Sequence, residues 1–327
     1  MRAAALALPV LVLAFSTAQA AGQSLPLTPV SRVALPGPSV RFDYQSLDPT
    51  AGRLYISHMD ASQLLVFNVK TRRVVKSIPV AGVHGVIVVP ALHRAYASAT
   101  NDHEAITVDT RTMRVVARAP AGSYPDGLAW DAAERHVFVS DESGGIETVL
   151  GASGKRITTI NVGGEAGNVQ YDPGSKRVLV AVQTRNDVAV IDPRTNRIVR
   201  RVAVPGCDSD HSLLVDASRR LAFVTCDGNA TLHVLDLRTM KFTSSSSVGS
   251  SPDVLAFDPG LRWLYVAAES GEVAVFAETA HGVRKLGQAL LAPSAHTVAV
   301  DPRTHLVYFP LERGTDGRPQ LLVMRPA

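Results

Sequence analysis

The chain has 327 residues, 46% of them hydrophobic and 19% charged, which excludes a disordered chain and leaves length for a large core. Its 33 basic and 29 acidic side chains give a net charge of +4, too small an excess at this size to argue by itself for nucleic acid. Two cysteines exclude a disulfide-dense scaffold.

The first twenty residues read as a secretory leader: Arg2 supplies the charge, Leu6 to Phe15 the apolar stretch, and Ala18-Gln19-Ala20 the small-x-small cleavage site. The apolar run is too short to cross a bilayer, and no cysteine follows the cleavage site to carry a lipid. Export to the periplasm, or secretion, with cleavage near Ala20 is expected, and no later stretch approaches the length of a membrane span. Residues 21–28 read as a flexible mature N-terminus and residues 29–327 as one folded unit.

Val30 to Leu35, VSRVAL, is the first predicted strand and ends at Pro36-Gly37. A unit then recurs seven times: a polar start, an apolar strand, a tight turn, a second apolar strand, a polar loop, a third strand and a more polar fourth. Its leading residues form the column Asp43, His84, Asp126, Gly167, His211, Asp253 and His296, at successive spacings of 41, 42, 41, 44, 42 and 43 by subtraction of residue numbers. A period of roughly 40–50 residues built from short strands marks a propeller. Second strands such as LYISH from Leu54 and LYVAA from Leu264 are apolar on both faces, as strands sandwiched between neighbouring sheets must be. Asp-Pro at Asp48, Asp172, Asp258 and Asp301, and Asp-x-Arg-Thr at Asp109, Asp192 and Asp236, supply turns that the aspartate can cap. The last repeat ends at Ala327 without a fourth strand, and Val30 to Leu35 resembles one. The predicted fold is therefore all-β: a single seven-bladed β-propeller of four-stranded blades, its ring closed by the N-terminal strand completing the last blade.

At the second strands, Phe223-Val224-Thr225-Cys226 and Tyr265-Val266-Ala267-Ala268, the chain resembles the YVTN-type repeat family of exported propellers, which includes the YncE-like periplasmic group. The likeness runs from about Val30 to Met324. It implies the propeller fold and export, and its YncE-like members are associated with DNA binding. A shared propeller carries no chemistry over by itself.

In a four-stranded blade the first strand lines the central channel, and its start shares a face with the loop between second and third strands. Asp43, His84, Asp126, His211, Asp253 and His296 are thus expected around one mouth of the channel. His58, Glu142, Asp227, Glu269 and Glu312 are expected on the ligand-binding rim beside them. Imidazoles with carboxylates suit zinc, copper, iron or manganese, so a divalent metal ion is the candidate cofactor. The same residues could equally bind water and loop backbone at a wet mouth. No nucleotide cofactor is expected, because Gly163 to Gly167 opens no helix, and no G-x-S-x-G elbow is present. Cys207 and Cys226 flank the first two strands of the fifth repeat, and a disulfide between them would pin the loop carrying Asp208, Asp210 and His211. The turns of the opposite face carry Arg72, Arg111, Arg194, Arg219, Arg238 and Arg303 interleaved with aspartates and few aromatics, an unfavourable surface for nucleic acid. Two classes of function follow. One is a monomeric binding or scaffold protein that presents the mouth to a metal ion, a small ligand or a periplasmic protein. The other is a metal-dependent hydrolase or lactonase using the same ring.

Overall fold

The computed structural model describes residues 24–280 and 282–327; the leader assigned to residues 1–20 and residues 21–23 of the loose N-terminus lie outside the described residues. Seven antiparallel sheets of four strands follow one another around a ring. Six are contiguous in sequence, from the first blade (Gln45–Pro79) to the sixth (Pro252–Leu290). The seventh takes Ala299–Asp301, Leu306–Leu311 and Gln320–Pro326 from the C-terminus and its outer strand, Leu27–Ala34, from the N-terminus. That outer strand pairs from Leu27 opposite Pro326 to Ala34 opposite Gln320, so closure is a full-length ladder. It begins at Leu27 rather than Val30, and residues 27 and 28 are ladder residues rather than loose chain.

Seven hydrophobic clusters hold the ring, each spanning the interface between two neighbouring blades. This explains why second strands are apolar on both faces. In the first blade Tyr55 faces the second blade with Val86 and Ala97, while Leu54 and Ile56 face the seventh with Tyr308 and Val323. Alternate residues of one strand therefore serve two cores. The turn aspartates do the capping their spacing predicts: Asp48 Oδ1 accepts the backbone N–H groups of Thr50 and Ala51, and Asp109 Oδ1 those of Arg111 and Thr112. Several of the arginines beside these turns are paired with acids, as in Arg94–Asp109, Arg194–Asp192 and Arg220–Asp172.

One irregularity recurs where function is sought. In the innermost strands of blades two to six the register shifts at the second position, between Val83 and Val86, Pro125 and Leu128, Ala166 and Val169, Asp210 and Leu213, and Pro252 and Val254. A bulge re-aims the side chain it carries. The residues freed from the ladder include His84, Asp126, Gly167, His211 and Asp253, which are the leading column of the repeats. Gly167 breaks the polar column because a Cβ there would lie 2.4 Å from the backbone oxygen of His211 in the next blade.

Candidate functional site

The bulged positions and the loops between second and third strands surround a cavity of about 300 Å³ at one end of the channel. Asp43, His84, Asp126, His211 and Asp253 from the leading column line it, with Glu142, Asp227 and Glu269 from the rim. His296 stands behind this wall, fully buried, and reaches the cavity through Asp253.

Asp253 is the hub. It accepts a hydrogen bond from His296 Nδ1 at 2.5 Å, and His211 Nε2 lies 3.3 Å from its other oxygen. Burial favours the neutral acid, but the hydrogen bonds from His211 and His296 outweigh it and hold Asp253 well below the usual carboxylate range. Burial likewise pulls the His211 imidazole down, yet the hydrogen bond and charge of Asp253 push it up to about 10. The same opposition leaves His296 raised above its ordinary value. Both imidazoles are thus committed to one carboxylate.

Arg41 enters from the segment that joins the closing strand to the first blade. Its guanidinium lies 2.6 Å from Glu269 Oε1, 3.7 Å from Asp253 and 3.8 Å from Asp43. Tyr44 forms the floor. Its hydroxyl donates to Asn168 Oδ1 at 2.9 Å, from the first blade to the fourth, and its ring borders both the mouth cavity and a second cavity deeper in the channel.

His84 is held by neutral partners. Thr100 donates its hydroxyl to the carbonyl of Pro125 and so accepts from His84 Nδ1 at 2.9 Å. This places the proton on Nδ1 and leaves Nε2 to accept from the Tyr124 hydroxyl at 3.0 Å. His84 Nε2 and Asp43 Oδ2 are 3.7 Å apart, beyond hydrogen-bond reach.

Asp43 and Asp126 are consequently buried acids of the mouth whose side chains make no hydrogen bond, Asp43 having only Arg41 at 3.8 Å and His84 at 3.7 Å. Both are buried, and the Oδ1 atom of each has no hydrogen-bond partner. Burial and then the charge of Asp253 push Asp43 up to about 7; burial and then Glu142 do the same to Asp126.

The ring expected to act as one set is therefore divided. His211 and His296 serve Asp253, His84 serves Thr100 and Tyr124, and the carboxylates of Asp43 and Asp126 stand apart from all three hydrogen-bonded groups. The donor atoms that do approach within 4.8 Å of one another are those of Asp253, Glu269 and His296. One imidazole and two carboxylates suit a transition-metal ion, although the Nδ1 proton of His296 and the Arg41 guanidinium occupy these donors as drawn. One rim assignment needs correction. His58 is buried beneath the Pro36–Val40 segment, stacked on Phe42 at 4.0 Å, where Gly37 (φ +103°) lets the chain fold over the ring. Glu312, the other rim candidate, feels the charges of His296, Arg41 and Glu269 at the mouth without lining the cavity itself. Arg41 and Tyr124, each two positions before a leading residue, and Tyr44, directly after one, escaped the sequence reading because the residues at those offsets differ from repeat to repeat.

The fifth-blade cysteines form a disulfide, Cys207–Cys226, with a Cα separation of 5.5 Å. Asp210, which opens the strand carrying His211, pairs directly with Cys226 in the ladder. Ser212 donates its hydroxyl to the carbonyl of Asp253, so it braces the next blade rather than facing a substrate.

No family model matches the chain. Among curated proteins it is 24% identical over 186 residues to the uncharacterised protein YncE of Salmonella typhi, and equally to that of Salmonella typhimurium, covering 55% of this chain and 52% of each relative. The chain thus matches about half the length of these relatives. The protein is a seven-bladed β-propeller that resembles YncE. Solved structures agree on the fold. A chain of hydrazine synthase from Kuenenia stuttgartiensis superposes with a TM-score of 0.75 at 14% identity, over 90% of this chain and 96% of that one. A chain of the mitotic checkpoint complex superposes with a TM-score of 0.76 at 11% identity, over 99% and 98%. At such identities the likeness of this chain to either is one of architecture alone. Among the described residues no helix is long and apolar enough to cross a membrane.

Proposed function

We infer that the protein is an exported binding propeller that holds a small polar ligand in the mouth of its channel without transforming it. The observation that carries this reading is the pair of buried side chains of Asp43 and Asp126, each with an unpartnered carboxylate oxygen, that line one cavity of about 300 Å³. Buried polar atoms without partners are costly, and a ligand is the economical way to satisfy two that share a cavity. The disulfide and the likeness to YncE support export to an oxidising compartment such as the periplasm. The far-face arginines are interleaved with turn aspartates, some of them paired as in Arg94–Asp109, Arg194–Asp192 and Arg220–Asp172, which weighs against a nucleic-acid surface.

The test is a thermal-shift screen of a mixed panel of cationic, neutral and anionic small molecules against wild type and an Asp43→Asn/Asp126→Asn double variant. A true ligand at about 100 times its Kd adds roughly 2.7 kcal/mol of stability to wild type alone. A panel that shifts neither protein, or shifts both equally, overturns the reading.

A second reading, a metal-dependent hydrolase or lactonase, is favoured by the convergence of Asp253, Glu269 and His296. These three would hold the ion, whose chemistry is Lewis-acid activation of water or a carbonyl. Arg41 would have to leave Glu269, and Asp43 or Asp126 would accept a proton within the cavity. Elemental analysis of protein purified without chelator, beside Glu269→Gln, tests it. Stoichiometric metal lost in the variant supports it, and no metal uptake after loading with zinc, copper or manganese excludes it.

A further inference from the structure

The charges at the mouth fall into two groups with different needs. Asp253 and Glu269 are served by His211, His296 and Arg41. Asp43 meets Arg41 Nε only at 3.8 Å and through Oδ2, and Asp126 makes no ion pair among the described residues. The Oδ1 atoms of Asp43 and Asp126 are therefore two buried acceptors, from blades one and three, with no donor of their own.

Three features bear on what would supply the missing donor. The atoms close enough together to grip a bare ion belong to Asp253, Glu269 and His296, a set that contains neither Asp43 nor Asp126. The space that the Asp43 and Asp126 side chains line, about 300 Å³, is at the lower end of the roughly 300–1,000 Å³ typical of small-molecule sites and far larger than an ion needs. Tyr44 and Tyr124 line that space, and aromatic faces beside carboxylates are the usual surroundings of an organic cation. A guanidinium ligand would repeat what Arg41 already does. An ammonium, with three rotatable donors on a compact head, can bond two carboxylates that approach from different blades.

We propose that the mouth takes a small organic molecule carrying a primary ammonium group, which lodges between Asp43 and Asp126 above Tyr44. This rests on the reading of the mouth as a ligand site and names the ligand's chemical class. The remainder of the molecule points outward past Glu142, whose Oε1 accepts from Gln183 Nε2 at 2.8 Å, toward Asp227 at the rim. Anionic ligands of the same size would meet Glu142 and Asp227 as well as Asp43 and Asp126, and neutral ones leave Asp43 and Asp126 without a charged donor.

Isothermal titration of the mature protein with four probes of one length tests this: putrescine, n-butylamine, butane-1,4-diol and butyrate. Saturable binding of both amines and none of the diol or butyrate is expected. Asp43→Asn and Asp126→Asn, each isosteric, should weaken amine binding at least about tenfold, the cost of losing a charge-assisted hydrogen bond. Val199→Ser, on an outer strand remote from the channel, should leave it unchanged, and thermal melts establish that each variant is folded. The proposal falls if the amines do not bind, if the diol binds as well as they do, or if either Asn variant retains wild-type affinity. Binding of the diol or butyrate alone removes the ammonium while keeping the mouth as a ligand site. Silence of these probes together with the broader thermal-shift panel removes both.

Discussion

At the scale of single residues, the mouth is organised by Asp253 more than by the three histidines that stand out in the sequence. Replacing Asp253 with Asn leaves His211, His296 and Arg41 facing one another without their shared counterion. Breaking a buried ion pair from one side costs roughly 3–5 kcal/mol, and urea denaturation should show a loss of that order, against less than about 1 kcal/mol for Asp227→Asn at the rim. The same hub sets a pH dependence. His211 is raised from 6.5 to about 10 in the folded chain, so its contribution to stability is complete below pH 6.5 and is lost as pH rises through about 10. Asp43 and Asp126, raised from 3.8 to about 7, add a decline of the same sign at lower pH, since stability falls as each is forced to ionise. Melting temperature should therefore fall from pH 5 to pH 10. In Asp253→Asn the His211 imidazole resonance should titrate much closer to the ordinary histidine range, and an unchanged titration would mean that another acid holds it. Of this arrangement the leading column was legible, because a repeat aligns its members and polar residues stand out among Val, Leu and Ala. The partition of the column into pairs was not, because hydrogen-bond partners depend on which way each bulge turns its side chain. Arg41 was invisible for a simpler reason: it stands two positions before Asp43, where the other repeats carry Gly, Tyr, Glu or Ser, so alignment does not single it out.

At the scale of strands, the outer edge of every blade carries a second recurrent irregularity. The pairing of third and fourth strands shifts so that Val75, Val116, Ile157, Val199, Thr243 and Leu286 are skipped, and Val30 is skipped in the closing strand. A bulge twists an exposed edge away from a straight ladder, which blocks pairing with another molecule. Val30, Val75, Val116, Ile157 and Val199 are also exposed large hydrophobics of the molecule, so their exposure follows from this edge protection. Changing Val75, Val116, Ile157 and Val199 together to Ser should accordingly move the urea midpoint little, within about 0.5 kcal/mol per site. Ile78, on the same outer strand as Val75 but turned inward and buried, should lose about 2–5 kcal/mol on change to Ala. A quadruple variant as destabilised as Ile78→Ala would show that the exposed aliphatics are packed in solution. The fourth strands were legible as polar rims, but their bulges were not, since one extra residue in a seven-residue strand leaves no mark on composition. The disulfide belongs to this scale as well. It closes a segment of 19 residues across the first two strands of the fifth blade. Chain-entropy arithmetic assigns it about 3 kcal/mol, and a Cys207→Ser/Cys226→Ser variant should lose that much in urea while keeping a folded far-ultraviolet spectrum.

At the scale of the whole molecule, the sevenfold period made the architecture readable, because no blade can bury both faces of its second strand without a neighbour on each side. The same requirement makes the last interface the weak point of the ring. Six blades are continuous chain, whereas the seventh is assembled from both ends and held by the ladder between Leu27–Ala34 and Gln320–Pro326. The closing strand also carries apolar residues into two cores: Leu27 packs with Val275 and Met324, while Val33, with Leu35 just after the strand, packs beside Phe42 and Leu321. A chain beginning at Pro36 would keep every contiguous blade, yet it would bare the Gln320–Pro326 edge and uncover both clusters. That edge has no bulge of its own against Leu306–Leu311, so it would be a straight, apolar template for pairing with another copy. The truncated protein should melt at lower temperature and associate with rising concentration in light scattering, and a synthetic peptide of residues 24–35 added in excess should reverse both. Stabilisation by the peptide should grow with its concentration as mass action requires. A truncated chain that stays monomeric and melts with the intact protein would mean that the first and seventh blades hold together through their facing cores alone, and that the N-terminal strand is an ornament on a ring already closed.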